Sequence, residues 1–308
     1  MSQRVAAIDI GTNTVLMLIA EARDGELRAV EDHARITRLG YRVDQTRRLD
    51  EQAMERTLAV LAEYSGRIRE LGVTRVAAVA TSAARDADNG GEFRERARRI
   101  LGATVDVAPG AREAVLTFRG ALGGLAVQRG ASVAVIDVGG GSTEVVVGQA
   151  EGAIVFAHSY NVGSVRLTER CVSSDPPTTA ELEAIREDVR RAYSDPPPPT
   201  GPFTAVVAIA GTATSFAAID LELERYEDAP PHGHRMSLVR IEALAARLAA
   251  LPVEERRRTT GLEPKRADVI VAGGIVLAEA ARALGAAIIT VSDRGVRWGL
   301  ALELTETM

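Results

Sequence analysis

One eight-residue pattern occurs twice in this chain. Ala7-Ile-Asp-Ile-Gly-Thr-Asn-Thr14 and Val135-Ile-Asp-Val-Gly-Gly-Gly-Ser142 both read apolar, apolar, Asp, apolar, Gly, then small or hydroxyl residues. Each completes an apolar run of strand length (Val5 to Ile10 and Ser132 to Val138), and a second run follows (Val15 to Ala20 and Thr143 to Val147). Strand, tight turn, strand is the natural reading of both. A repeat on this scale implies two similar domains facing each other across a cleft. The 308 residues suffice for two domains that each bury a core. Gly120, Gly123 and Gly124 loosen the chain ahead of the second copy, so the domains are placed at 1–125 and 126–308. The closing helix is counted with the second domain, from which it is able to pack back on the first.

Between the repeats, strands and helices alternate, which makes the class α/β. Asp50 to Leu71 is the clearest helix: Met54, Leu58, Leu61 and Ile68 share a face, Asp50 is placed to cap it, Leu49 and Met54 sit at staple positions, and Gly72 closes it. Helices are also predicted over Asn89–Leu101, from Gly110, over Thr179–Tyr193, Ser237–Leu251 and Lys265–Leu284, and over Arg294–Leu304. Strands are predicted over Arg75–Ala80, Thr104–Val107, Phe203–Ile209 and Ala287–Val291. Asp24-Gly25 and Glu151-Gly152 mark turns. Tyr226 to Arg235 reads as an exposed loop carrying solvent-facing His232 and His234.

Composition narrows the function. There are 37 Lys and Arg against 42 Asp and Glu, a net charge of −5, so the chain lacks the basic footprint of a nucleic-acid binder. A polyanionic substrate would need a local basic lining or a divalent cation. The single cysteine, Cys171, excludes an internal disulfide framework and a multi-cysteine metal site. No apolar run reaches membrane-spanning length, and Met1-Ser2-Gln3-Arg4 leads into a strand rather than a signal peptide, so a cytoplasmic protein without a membrane partner is expected. Arg94, Arg96, Arg98 and Arg99, and Arg256, Arg257 and Arg258, read as solvated helix faces, with guidance of a long polyanion as the other reading.

The repeated turns carry the chemistry. A strand ending in Asp and turning through Gly and hydroxyl residues presents amide groups that suit a phosphate, and the Asp can hold hydrated Mg²⁺ beside it. Asp9 with Thr12, Asn13 and Thr14 forms one such cradle; Asp137 with Gly139, Gly140, Gly141, Ser142 and Thr143 forms the other. Either alone is equally a plain hairpin turn; the duplication favours the cradle. Glu144 is either exposed at the strand edge or faces the cleft, where it joins Asp137 as a second oxygen ligand for one divalent ion. Glu113, in the first turn of its helix, is the candidate for proton transfer, although a helix dipole also favours a carboxylate there. Ala80-Thr81-Ser82-Ala83-Ala84-Arg85 and Ala210-Gly211-Thr212-Ala213-Thr214 are plain loops or phosphate lining, with Arg85 supplying positive charge.

Taken together, Asp9 to Thr14, Ala80 to Arg85, Gly110-Ala-Arg-Glu113-Ala, Asp137 to Glu144 and Ser292-Asp-Arg-Gly295 resemble the Ppx/GppA family of exopolyphosphatases and guanosine pentaphosphate phosphohydrolases. The resemblance covers nearly the whole chain. It implies two ribonuclease-H-like domains of the actin-like, sugar-kinase-like fold with an inter-domain active-site cleft. It further implies a metal-dependent hydrolase that removes the terminal phosphate of polyphosphate or of pppGpp, with Mg²⁺ or another divalent ion and a possible monovalent activator. By position Glu113 matches the family's general base, Asp137 and Glu144 its metal-associated acids, and Thr12, Asn13, Arg85 and Gly139 to Thr143 its phosphate-lining residues. It is similar to the short members without extra C-terminal helical domains, and a homodimer is expected. Three positions depart from the pattern: Leu16 stands where Arg or His is common, Arg112 replaces an acid and is expected to favour ionised Glu113, and Trp298 stands where an acid is frequent. A kinase or ATPase of the same fold, and a catalytically silent sensor of polyphosphate or guanosine polyphosphates, are the other readings.

Overall fold

Val5 to Ile10 are buried on both faces, as a strand-length run that is apolar except at Asp9 requires, and they sit at the centre of a sheet. The computed structural model describes residues 4–23, 26–150, 152–224 and 231–306. The first sheet contains β1 (Arg4–Ile10), β2 (Thr14–Arg23), β3 (Glu26–Ile36), β4 (Arg75–Ala80) and β5 (Val105–Val107) in the order β3-β2-β1-β4-β5. β1, β2 and β3 form an antiparallel meander, while β4 and β5 add in parallel on the other side of β1.

The second sheet contains β6 (Ser132–Val138), β7 (Thr143–Gln149), β8 (Ile154–Tyr160), β9 (Ala205–Ile209), β10 (Arg235–Ser237) and β11 (Ile288–Val291), ordered β10-β11-β9-β6-β7-β8. β6, β7, β8, β9 and β11 repeat the places and directions of β1 to β5, and β10 adds an antiparallel edge. The repeated motif thus belongs to a repeated ribonuclease-H-like unit, with each copy at the turn of the first hairpin.

The chain divides into residues up to Gly120 together with those from Val296 onward, and Ala121–Gly295. The closing helix, Val296–Glu306, therefore belongs to the first unit and not to the second, where its place in the chain had put it. The reason is packing: Val296, Trp298, Leu300 and Ala301 bury against Val5, Ala7, Leu18, Val79 and Leu116. Arg297 adds a two-pronged bond to Asp32 at 2.8 and 2.9 Å. This explains Trp298: the position faces a core.

Local signals account for most helices. The Asp50 carboxylate accepts from the Ala53 amide at 2.9 Å at the head of the helix Glu51–Glu70, and Gly72 ends it at φ 64°. Leu49 and Met54 are both buried at its entry. Gly66 lies within this helix, and a Cβ there would meet nothing within 4 Å. Gly66→Ala is therefore expected to stabilise the protein by about 0.5–1 kcal/mol through the entropy of the unfolded chain, read as a higher thermal midpoint.

The arginine clusters behave in two ways. Arg96 pairs with Glu51 and Glu55, and Arg98 and Arg99 pair with Glu95, whose carboxyl is held down at about 2 by those two neighbours. Arg256, expected on a solvated face, is instead buried, bonding Asp175 and the carbonyls of Leu251 and Ala267; burial lowers its pKa. His232 and His234, expected in solvent, are half-buried beside Asp293 and Asp220, because their loop is laid along β11 by bonds between Gly233, His234 and Val291. Residues 226–230 of that loop, the Asp24-Gly25 turn and Glu151 lie outside the described residues. Among the described residues no helix is long and apolar enough to cross a membrane.

Candidate active site

The first bend is held by its backbone. The Gly11 amide donates to the Thr14 carbonyl at 3.0 Å, the Thr12 carbonyl accepts from Gly40 at 2.8 Å, and the Asn13 carbonyl accepts from Thr37 and Arg38 at 3.0 Å. With the carbonyls so engaged, the side chains are oriented. Thr12 Oγ1 lies 2.7 Å from Ser82 Oγ, and Asn13 Nδ2 is buried with no hydrogen-bond partner among the described residues. Buried polar groups are normally satisfied, and one left open beside a turn of this type points to a ligand. Asp9 is buried at the end of β1, Leu16 is half-buried opposite it in register, and Thr14 opens β2 half-buried.

Arg85 and Glu113 come together. Ala80 to Arg85 is not a plain loop: it enters a short helix, Ser82–Asp86, which carries Arg85. Arg85 Nη1 donates to Glu113 Oε2 and to the Ala108 carbonyl, both at 3.0 Å. Glu113, in the first turn of the helix Gly110–Ala121, is 5% exposed. A carboxylate so buried needs a counter-charge, and Arg85 supplies it. Arg112 does not: it reaches Glu303 on the closing helix instead.

In the second bend, Asp137 on β6 and Glu144 on β7 stand directly opposite in antiparallel register, so both side chains lie on one face of the sheet. Both are buried, and Glu144 Oε1 accepts from Ser159 Oγ at 2.5 Å. Gly139 donates to the Ser142 carbonyl at 3.0 Å. The carbonyls of Gly139, Gly140 and Gly141 are all taken by the start of the helix Ser164–Cys171: Gly139 by the Ser164 amide, Gly140 by those of Val165 and Arg166, and Gly141 by Arg166 Nε at 2.6 Å. The amides of Gly140, Gly141 and Ser142 donate to no backbone acceptor among the described residues, as an anion-binding turn requires. Thr143 departs from expectation as a hydroxyl donor, since its proton is committed to the Val162 carbonyl at 2.6 Å. Behind the pair, Tyr160 and Tyr193 stack edge to face at 4.6 Å; burial pushes Tyr160 up to about 12 and Tyr193 further still.

Asp137 and Glu144 are hard oxygen donors held side by side, where two buried like charges favour a cation. Among the described residues no group of three or more His, Cys, Asp or Glu side chains converges. Two carboxylates completed by phosphate oxygens and water is the usual surrounding of Mg²⁺, so the residues present fit that ion. Sequence reasoning missed Ser159, Gly163 and Arg166, which hold the named residues in place; Ser82, named within the Ala80 to Arg85 stretch, lies against Thr12. The register rule would have found Ser159 once β8 was paired with β7. The stretch Ala210 to Thr214 begins a helix, Ala210–Asp220, with Ala210 at φ 67°.

The fold and the site define a two-unit α/β protein in which each ribonuclease-H-like unit carries a phosphate-type bend with buried carboxylates nearby. The model of the Ppx/GppA phosphatase family matches residues 18–308. Exopolyphosphatase 2 of Mycobacterium tuberculosis is 40% identical over 317 residues, spanning 98% of each chain. The crystal structure of the Aquifex aeolicus member of the family superimposes with a TM-score of 0.83 at 35% identity, covering 100% of this chain and 99% of that one. An exopolyphosphatase from Cytophaga hutchinsonii gives a TM-score of 0.85 at 25% identity, covering 99% and 98%. This chain belongs to the Ppx/GppA phosphatase family.

Proposed function

We propose that the chain removes the terminal phosphate of inorganic polyphosphate. The observation that carries this reading is full-length similarity to an exopolyphosphatase together with a buried carboxylate, Glu113, held by one arginine at 3.0 Å. Glu113 accepts the proton of the attacking water, and Arg85 fixes its carboxylate in one orientation. The Gly140, Gly141 and Ser142 amides of the second unit, and Thr12 and Asn13 of the first, are donors of the kind that hold phosphate oxygens and neutralise charge growing in the transition state. Asp137 and Glu144 would hold Mg²⁺, with Ser159 fixing the Glu144 carboxylate; bound there, the ion supplies charge neutralisation at the transferring phosphoryl group. No acceptor substrate is needed, which separates this reading from a kinase.

The test is a phosphate-release assay on long polyphosphate, short polyphosphate, pppGpp and ATP, with Mg²⁺ and with chelator. Release from polyphosphate with Mg²⁺ alone, abolished by chelator, is expected. Faster release from pppGpp would move the substrate to the guanosine polyphosphates, and tight binding without release would make the protein a sensor. Asp137→Asn is expected to raise the Mg²⁺ concentration needed for half-maximal rate by at least the roughly 10–100-fold that loss of an outer-shell partner costs, read by metal titration.

A further inference from the structure

Residues 37–48, Thr-Arg-Leu-Gly-Tyr-Arg-Val-Asp-Gln-Thr-Arg-Arg, hold four arginines against one aspartate in a chain whose net charge is −5. Three of them, Arg38, Arg42 and Arg47, have φ between 55° and 57°, the left-handed region that is unfavourable for a side-chain-bearing residue. A chain keeps such residues only where its surroundings fix them. The fixing contacts run to both substrate-side segments of the first unit. At one end Thr37 and Arg38 donate to Asn13, and Gly40 donates to Thr12. At the other, Asp88 donates to the Arg47 carbonyl at 2.8 Å, and the Asn89 side chain brackets the Leu49 backbone at 2.8 and 3.1 Å. The loop is thus clamped beside the Thr12-Asn13 bend and the segment that carries Arg85.

Among the described residues, two of its charges stand unpaired, as many exposed arginines of the chain do not. Exposed arginines such as Arg67, Arg98 and Arg257 each meet a carboxylate. Arg47 and Arg48 are exposed and form no ion pair with any described residue. Arg42 is also exposed, its guanidinium 5.3 Å from the centre of the exposed Tyr41 ring.

Resting on the polyphosphate reading, we infer that this loop is an outer subsite for a long polyanionic chain. Arg47 and Arg48 bind phosphates several units away from the one being released, so the loop sets chain-length preference without touching the reacting atoms. Unpaired cations on a fixed backbone meet phosphate oxygens without first breaking an internal ion pair, and their contribution is strongly salt-dependent.

The test is the double variant R47N/R48Q, since asparagine tolerates the left-handed position, assayed on long polyphosphate and on triphosphate at low and high salt. KM for long chains is expected to rise about tenfold or more, with kcat unchanged, KM for triphosphate unchanged and the salt dependence shallower. R47K/R48K is expected to restore most of the long-chain KM. Equal KM values for variant and wild type on long chains, or an equal rise on both lengths, would overturn the subsite. Equilibrium binding of long polyphosphate, measured in parallel, separates the two readings. Weaker binding by the variant supports the subsite even if the wild type releases no phosphate, which would sink only the hydrolase reading. No binding by the wild type overturns both.

Discussion

Glu113→Gln is expected to lower phosphate release from polyphosphate by about 10²–10⁴-fold while leaving substrate affinity within a few-fold of wild type. Glutamine keeps the shape of the side chain and an oxygen able to accept from Arg85 Nη1, so the 3.0 Å contact has a replacement. What it lacks is basicity, and proton acceptance from water is the step that disappears. Arg112→Ala provides the contrast: Arg112 is adjacent in sequence, yet it points to Glu303 on the closing helix and is expected to leave turnover near wild type. Measured together by initial rates and by polyphosphate binding, the two variants separate a proton-transfer role from a general effect of charge. Near-normal turnover in the glutamine variant would remove Glu113 from catalysis.

Gly163→Ala is expected to damage the second bend more severely than a single methyl group normally would. The backbone at Gly163 is extended, with φ −156°, so any residue could adopt it; the constraint is space. An added Cβ would lie 2.5 Å from the Gly140 carbonyl oxygen and 2.6 and 2.7 Å from the carbonyl carbons of Gly140 and Gly141. Those are backbone atoms of the phosphate-type turn, so no flexible side chain can swing aside. Either the turn moves or the start of the helix Ser164–Cys171 retreats, and in both cases the bonds from Ser164, Val165 and Arg166 to the glycine carbonyls are disturbed. The expected cost in stability is about 1–3 kcal/mol, as for overpacking in a filled interior. Phosphate release is expected to fall at least about tenfold, since misplacement of binding groups by an ångström is felt strongly in turnover. Thermal unfolding and initial rates check both parts. Gly201→Ala, where the nearest atom would stand at 3.9 Å, serves as the tolerated control. Wild-type rates and midpoint in the Gly163 variant would show that the helix and turn do not depend on this close approach.

The elements that sequence revealed are those whose signals are local. Asp50 and Gly72 bracket a helix by capping chemistry, and the strand Ser132–Val138 was bounded as predicted because its apolar run, interrupted only by Asp137, ends at the glycine turn. β3 was not legible, since its edge position leaves a mostly exposed, charged strand without a buried stripe. The helix Ser164–Cys171 was hidden for a related reason: its eight residues include the polar and charged Ser164, Arg166, Thr168, Glu169 and Arg170. At the candidate site, the residues named from sequence fall on the two bends and their neighbours. Their partners do not follow from spacing: Arg85 and Glu113 are 28 positions apart, and Glu144 and Ser159 are 15 apart.

By itself, the sequence determined the duplication, the α/β class and the residue types at the two bends, because periodicity, glycine turns and capping are written within a few neighbouring positions. Only the tertiary structure decided that Arg85 rather than Arg112 neutralises Glu113, that the Thr143 hydroxyl is committed to Val162, that Arg256 is buried, and that the closing helix with Trp298 returns to the first sheet. The physical reason is common to all four. Which charge meets which carboxylate, and which face meets which core, depends on contacts between segments far apart in the chain, and those exist only once the sheets have paired.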